Sequence, residues 1–180
     1  PQRVFNYGST SIDNIINIAT LSKVEVLKSI GLKECRYFIC TYHPVTMEEK
    51  NVDSLLEEFF AVIKNFSNYT FIVTKSNADQ GGARINQLLD EASMELENLH
   101  VYESLGVKRY LSLMKYSEAV VGNSSSGIIE APAFYIPTVN IGDRQKGRLR
   151  TKSIIDCGIY REDIIRAINR AMSSDFRAQC

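Results

Sequence analysis

Short apolar runs alternate along this chain with stretches in which apolar residues recur every three or four positions. Tyr37–Thr41, Thr70–Thr74, Leu99–Tyr102, Ala119–Val121 and Thr138–Ile141 have the length and β-branched or aromatic content of strands. Val52, Leu55, Leu56, Phe59, Phe60 and Ile63 fall on one face of a helix over Glu48–Asn65. Further helices are predicted over Ala83–Leu96, Val107–Tyr116, Gly127–Phe134 and Glu162–Met172. Ahead of the first strand, Ile12, Ile15, Ile16 and Ala19 keep helical spacing after a turn at Gly8–Ser11. A second helix spans Lys23–Ile30, and Pro1–Gly8 reads as a strand entering a turn. Strands that are apolar throughout must be covered on both faces, so the alternation predicts an α/β fold, a doubly wound parallel sheet of Rossmann-like type. No repeat and no Pro/Gly/Ser-rich linker divides the chain, so residues 1–180 read as one domain.

In such folds ligands bind beyond the carboxyl ends of the strands. His43, Asn77, Ser124 with Ser125, and Asp143 with Arg144 each follow a predicted strand, so four strand ends bring polar groups to one edge. Loops there are polar in any fold, and the convergence supports a shared site without naming its ligand.

The run Val120-Val121-Gly122-Asn123-Ser124-Ser125-Ser126-Gly127-Ile128-Ile129-Glu130 narrows the chemistry. It reads as a strand, a small-residue turn and a helix with an acid in its first turn. The unpaired N–H groups at a helix start suit phosphate. The glycines lack the GxGxxG order and no Lys completes a P-loop, so neither the dinucleotide nor the triphosphate fingerprint applies. Serine hydroxyls can donate to phosphate oxygens, whereas the Glu130 carboxylate suits a ribose diol. The motif alone is equally consistent with serines that cap a helix and a glutamate that completes a capping box.

Composition removes several classes. Lys+Arg 21 against Asp+Glu 21 leaves no net charge, which disfavours a general nucleic-acid or anionic-membrane binder. No apolar run reaches the length of a membrane span, and no signal-peptide pattern opens the chain. Cys35, Cys40, Cys157 and Cys180 form no CxxC pair and have no His at metal-ligand spacing. Reduced thiols, a cytoplasmic location, and neither metal nor cofactor are the expectation. Lys146, Arg148 and Arg150 read as a solvated loop, while Arg144 lies nearest a strand end and is placed to reach a diphosphate. His100 within its short strand, and Phe59 and Phe60 on their helix, read as structural. The absence of an initiator Met suggests a segment of something longer.

Four ordered segments carry a resemblance: Thr41-Tyr42-His43-Pro44-Val45-Thr46, Lys75-Ser76-Asn77-Ala78-Asp79, Gly122 through Pro132, and Asn140 through Arg148. Together they resemble the C-terminal half of the UDP-N-acetylglucosamine 2-epimerases, in the hydrolysing branch of sialic-acid biosynthesis. The resemblance implies the second of two Rossmann-like domains in a GT-B arrangement, with the N-terminal domain absent and UDP-sugar held between the two. It implies that His43 and Arg144 approach the diphosphate and assist its departure, and that Ser124 and Ser125 hold phosphate oxygens. Glu130 would take the ribose hydroxyls, Asn77 a further UDP position, and Leu105 to Val107 the uracil, through backbone groups. The implied reaction is elimination of UDP across C1 and C2 and hydration of the resulting glycal to N-acetylmannosamine, with the catalytic acids drawn mainly from the N-terminal domain. A homo-oligomer is implied for the full-length protein. A GT-B glycosyltransferase, or an epimerase acting on a UDP-diacetamido-dideoxy sugar, would share these features.

Overall fold

A computed structural model describes residues 5, 8–43, 52–76 and 81–180. Its strands are β1 (Tyr37–Thr41), β2 (Thr70–Thr74), β3 (Leu99–Tyr102), β4 (Val120–Gly122), β5 (Thr138–Ile141) and β6 (Ile154–Cys157). They form one sheet in the order β3-β2-β1-β4-β5-β6, and each neighbouring pair is parallel. Helices α1 (Thr10–Asn17), α2 (Lys23–Ser29), α3 (Val52–Asn65), α4 (Gly82–Glu95), α5 (Gly106–Tyr116), α6 (Ser125–Ile129), α7 (Arg161–Met172) and α8 (Ser174–Arg177) complete the described chain. This is the doubly wound, Rossmann-like architecture that the alternation predicts.

All five residues of β1 are buried, and the reason is two-sided packing. Side chains alternate across a strand. Phe38 and Cys40 enter a core shared with Leu56, Phe59 and Ile63 of α3, Ile85 and Leu89 of α4, and Ile164 and Ile168 of α7. Tyr37 and Ile39 enter a second core with Val26 and Leu27 of α2 and Leu113 and Met114 of α5. The Tyr37 hydroxyl, fully buried, donates to the Leu113 carbonyl oxygen at 2.9 Å, so its polar end costs little to bury.

From β1 the chain builds outward through β2 and β3, then returns to lay β4 on the other side of β1. The strand order therefore reverses between β1 and β4, which is where sheets of this kind open a crevice beyond their carboxyl ends. Gly122 makes the close approach possible. It has φ +140°, and a Cβ there would lie 2.2 Å from the Thr41 carbonyl oxygen. Gly127 lets α6 settle on the sheet in the same way, since a Cβ would lie 2.7 Å from Thr138 Cγ2.

Some boundaries differ from the sequence reading. The helix expected over Gly127–Phe134 begins at Ser125 and stops at Ile129, and a 3₁₀ turn covers Ala131–Phe134. Pro132 has no N–H for the helical ladder, which explains the break. Glu130 is consequently the C-cap of α6 and not an acid in its first turn, so the capping-box alternative also falls. β4 runs one residue later than expected, to Gly122. β6 and α8 had no predicted counterpart: β6 is an edge strand with two apolar residues, and α8 is a single turn. The Pro1–Gly8 strand falls largely outside the described residues, as do residues 48–51 of the helix expected from Glu48. α1 forms as predicted, with Ser9 accepting from Ser11 N at 3.3 Å, yet it buries no residue.

Candidate functional site

His43 leaves the end of β1, and Asn123 leaves the end of β4. The His43 N–H donates to Asn123 Oδ1 at 2.7 Å, and Asn123 Nδ2 donates to the His43 carbonyl oxygen at 2.9 Å. This pair of bonds bridges the crevice at the point where the strand order reverses. The His43 ring is oriented separately: Nδ1 lies 3.1 Å from the Ser76 hydroxyl beyond β2. Ser76 is itself held by Asn86 of α4, which accepts from Ser76 N at 2.9 Å and donates to its carbonyl oxygen at 3.0 Å. Asn77, the residue singled out beside it, lies outside the described residues.

The loop after β5 reaches the same asparagine. The Asn123 carbonyl oxygen accepts from Arg144 Nη1 at 3.1 Å and from Gln145 Nε2 at 2.7 Å. Asn123 and Gln145 are each 1% exposed, whereas Arg144 is exposed. Arg150 is exposed, as expected of a solvated loop, and is also bonded. Its Nη2 donates to the Gln145 carbonyl oxygen at 2.8 Å, and its Nε pairs with Asp156 at 3.2 Å. Asp156 in turn accepts from Asn140 Nδ2 at 2.6 Å, so the edge strand braces the loop that carries Arg144.

Ser124 caps α6, and its hydroxyl oxygen accepts from Ser126 N at 3.4 Å and from Ser126 Oγ at 3.1 Å. Ser125 is half-buried in the first turn. The Ser126 hydroxyl also bonds the Tyr110 hydroxyl of α5 at 2.6 Å. Tyr110, Leu105, Val107 and Glu130 line one open cleft of about 410 Å³ with Thr74 and Lys75 at the end of β2. Burial raises the Glu130 pKa above the ordinary carboxyl value, partly offset by a hydrogen bond from Ser11. Lys75 pairs with Asp90 at 2.7 Å, which raises its own pKa.

The expected uracil loop is only partly free to make backbone contacts. The Leu105 carbonyl oxygen already accepts from Arg109 Nε at 2.9 Å, and Gly106 N donates to Ser104 Oγ at 3.2 Å. Leu105 itself is 3% exposed, so it forms the cleft floor, while Val107 stands open to solvent.

Outside these residues, a wider depression of about 620 Å³ lies at the ends of β5 and β6, lined by Asp143, Lys146, Arg150 and Tyr160 among others. Among the described residues no group of three or more His, Cys, Asp or Glu side chains is arranged to hold a metal. None of the described helices is long and apolar enough to cross a membrane. His100 is partly buried in β3, and that burial lowers its pKa, as suits a structural residue.

The structure thus gathers His43, Ser124, Ser125 and Arg144 around Asn123, and Leu105, Val107 and Glu130 around Tyr110. Sequence reasoning missed Asn123, Ser76, Gln145 and Tyr110. Asn123 stood inside the quoted motif and Ser76 beside Asn77, so a search for polar residues at strand ends would have reached both. Gln145 and Tyr110 carried no such signal.

A family model described as UDP-N-acetylglucosamine 2-epimerase matches residues 1–179. A relative from Campylobacter jejuni, GDP/UDP-N,N'-diacetylbacillosamine 2-epimerase (hydrolyzing), is 40% identical over 98% of this chain and 46% of its own length. Polysialic acid biosynthesis protein P7 of Escherichia coli is 36% identical over 98% of this chain and 45% of its own. The crystal structure of Methanocaldococcus jannaschii UDP-GlcNAc 2-epimerase in complex with UDP-GlcNAc and UDP superposes with a TM-score of 0.70 at 16% identity, covering 97% of this chain and 49% of that one. The chain therefore spans just under half the length of these relatives. It belongs to the UDP-N-acetylglucosamine 2-epimerase family.

Proposed function

We propose that this chain is the UDP-holding half of a hydrolysing UDP-N-acetylglucosamine 2-epimerase. The observation that carries the reading is the clasp at the reversal of strand order, where Asn123 ties the His43 backbone to the loop bearing Arg144 and stands next to Ser124. Family membership supplies the ligand class.

In this reading Ser124 and Ser125 donate to phosphate oxygens, and His43 and Arg144 meet the negative charge that grows on the diphosphate as the C1–O bond breaks. Asn77 adds a further contact to UDP. Glu130 accepts from the ribose hydroxyls, and Leu105 and Val107 border the uracil. Elimination across C1 and C2 expels UDP and leaves a glycal, and water then adds to give N-acetylmannosamine. Removing the C2 proton and delivering water need carboxyl groups with tuned pKa values, which we assign to an N-terminal domain outside this chain. The 180 residues then form one UDP-binding domain that holds UDP and does not turn over, acting in the cytoplasm within a larger, oligomeric enzyme.

Titration calorimetry of the chain with UDP, UMP and uridine tests the binding half of the reading: affinity should rise with each phosphate. Equal affinity for all three, or for none, would overturn it. The identity to the diacetylbacillosamine epimerase favours a second substrate, a UDP-diacetamido-dideoxy sugar. Acceptor-free sugar release by the whole enzyme, compared between the two UDP-sugars, separates these and excludes a glycosyltransferase if it occurs.

A further inference from the structure

A chain of hydroxyls runs under the site. Thr74 and Thr41 at the ends of β2 and β1 share a hydrogen bond of 2.6 Å. The Tyr110 hydroxyl interacts with Thr41 and bonds Ser126 Oγ at 2.6 Å, and Ser126 Oγ donates to Ser124 Oγ at 3.1 Å. Each hydroxyl owns one proton and two lone pairs. Because Ser126 spends its proton on Ser124, the Tyr110 proton must fill the Tyr110–Ser126 bond. Ser124 Oγ accepts from both the Ser126 hydroxyl and the Ser126 N–H, so both its lone pairs are engaged. Only its proton remains to be offered.

We propose that Tyr110 is a positioning residue that, through Ser126, fixes Ser124 as a donor and so selects an anionic oxygen as its partner. The proposal rests on the UDP reading above and deepens it. Tyr110 also lines the cleft that holds Glu130, so one side chain touches the region assigned to ribose and orders the group assigned to phosphate. Without the tyrosine hydroxyl, Ser126 Oγ loses the proton it accepts, and its own proton is no longer committed to Ser124. Ser124 would then lose its fixed polarity.

The test compares UDP and uridine binding to the unmodified chain and to Tyr110→Phe, Ser126→Ala and the double variant, with the unliganded thermal midpoint recorded for each. Tyr110→Phe and Ser126→Ala should each weaken UDP about fivefold to tenfold and change uridine less than twofold. The double variant should lose no more than the worse single one, because both act through one chain of bonds. Equal losses for UDP and uridine would mean a general loosening of the cleft and would overturn the proposal, as would unchanged UDP affinity or additive losses. Absence of UDP binding to the unmodified chain would instead sink the UDP reading itself.

Discussion

Asn123 and His43 exchange two hydrogen bonds, side chain to backbone, at 2.7 and 2.9 Å. The arrangement copies the pairing of neighbouring strands at a place where no strand continues. It ties His43, just past the end of β1, to Asn123, just past the end of β4.

Asn123→Ala removes both bonds, the one that the His43 N–H donates and the one that its carbonyl oxygen accepts. The loss should be about 1–3 kcal/mol of stability. A larger proportional loss is expected in UDP affinity, since the His43 backbone depends on this side chain, while the Asn123 carbonyl oxygen that accepts from Arg144 remains. Chemical denaturation and calorimetry on the same samples check the two effects. A variant that is destabilised yet binds UDP normally would show that the clasp serves folding alone.

In its proposed role at the ribose, Glu130 would set stability against binding. Its folded pKa is raised by burial, so the folded state holds the proton more tightly than the unfolded chain does. Stability therefore falls as pH rises from the unfolded value toward the raised one, and the full penalty applies above it. Glu130→Gln should make the unliganded chain more stable at neutral pH, with the gain vanishing in acid below the ordinary glutamate range. The same variant should lose the preference for UDP over 2′-deoxy-UDP. Melting curves from pH 4 to 8 and competition between the two nucleotides measure both.

Gly122→Ala tests the close approach of β4 to β1. A methyl group would meet the Thr41 carbonyl oxygen at 2.2 Å in a backbone conformation that L residues rarely adopt. Clash and strain together should cost about 2–4 kcal/mol. A midpoint unchanged in urea would contradict the geometry.

Cys157 has its thiol pKa pushed up to about 12 by burial, with Asp163 and Asp156 adding to the effect. The fully buried Cys40 thiol is also pushed up. Both should resist maleimide in the folded chain at pH 8 and react on unfolding, because the thiolate is the reactive form. Mass spectrometry of pulse-labelled protein gives the answer directly.

Much of the fold was legible because the central strands are buried on both faces and so read as unbroken apolar runs; the limits of β1, β2 and β5 follow from that pattern alone. β6 escaped because Ile154 and Ile155 make a weak signal beside Asp156. The split between α6 and the 3₁₀ turn was readable from Pro132. The site was half legible. Residues after strands declared themselves by position, but Tyr110 sits on the buried side of an amphipathic helix, where an aromatic residue reads as core. Its hydroxyl became meaningful only when β4 and α5 placed Ser126 against it. The ion pair of the exposed Arg150 could not be foreseen, because Asp156, its partner, belongs to the strand that the pattern did not show.

On the proposed reading, this chain carries a preformed UDP site. The most direct measurement is its thermal midpoint against increasing UDP, alongside Ser124→Ala. Binding to the native state alone should add about 2.7 kcal/mol at a hundredfold excess over Kd, or roughly 5–10 °C for a chain of this size. That rise is expected, with a markedly higher UDP concentration needed for Ser124→Ala. A midpoint that stays flat to millimolar UDP, or a rise that Ser124→Ala leaves untouched, would contradict it.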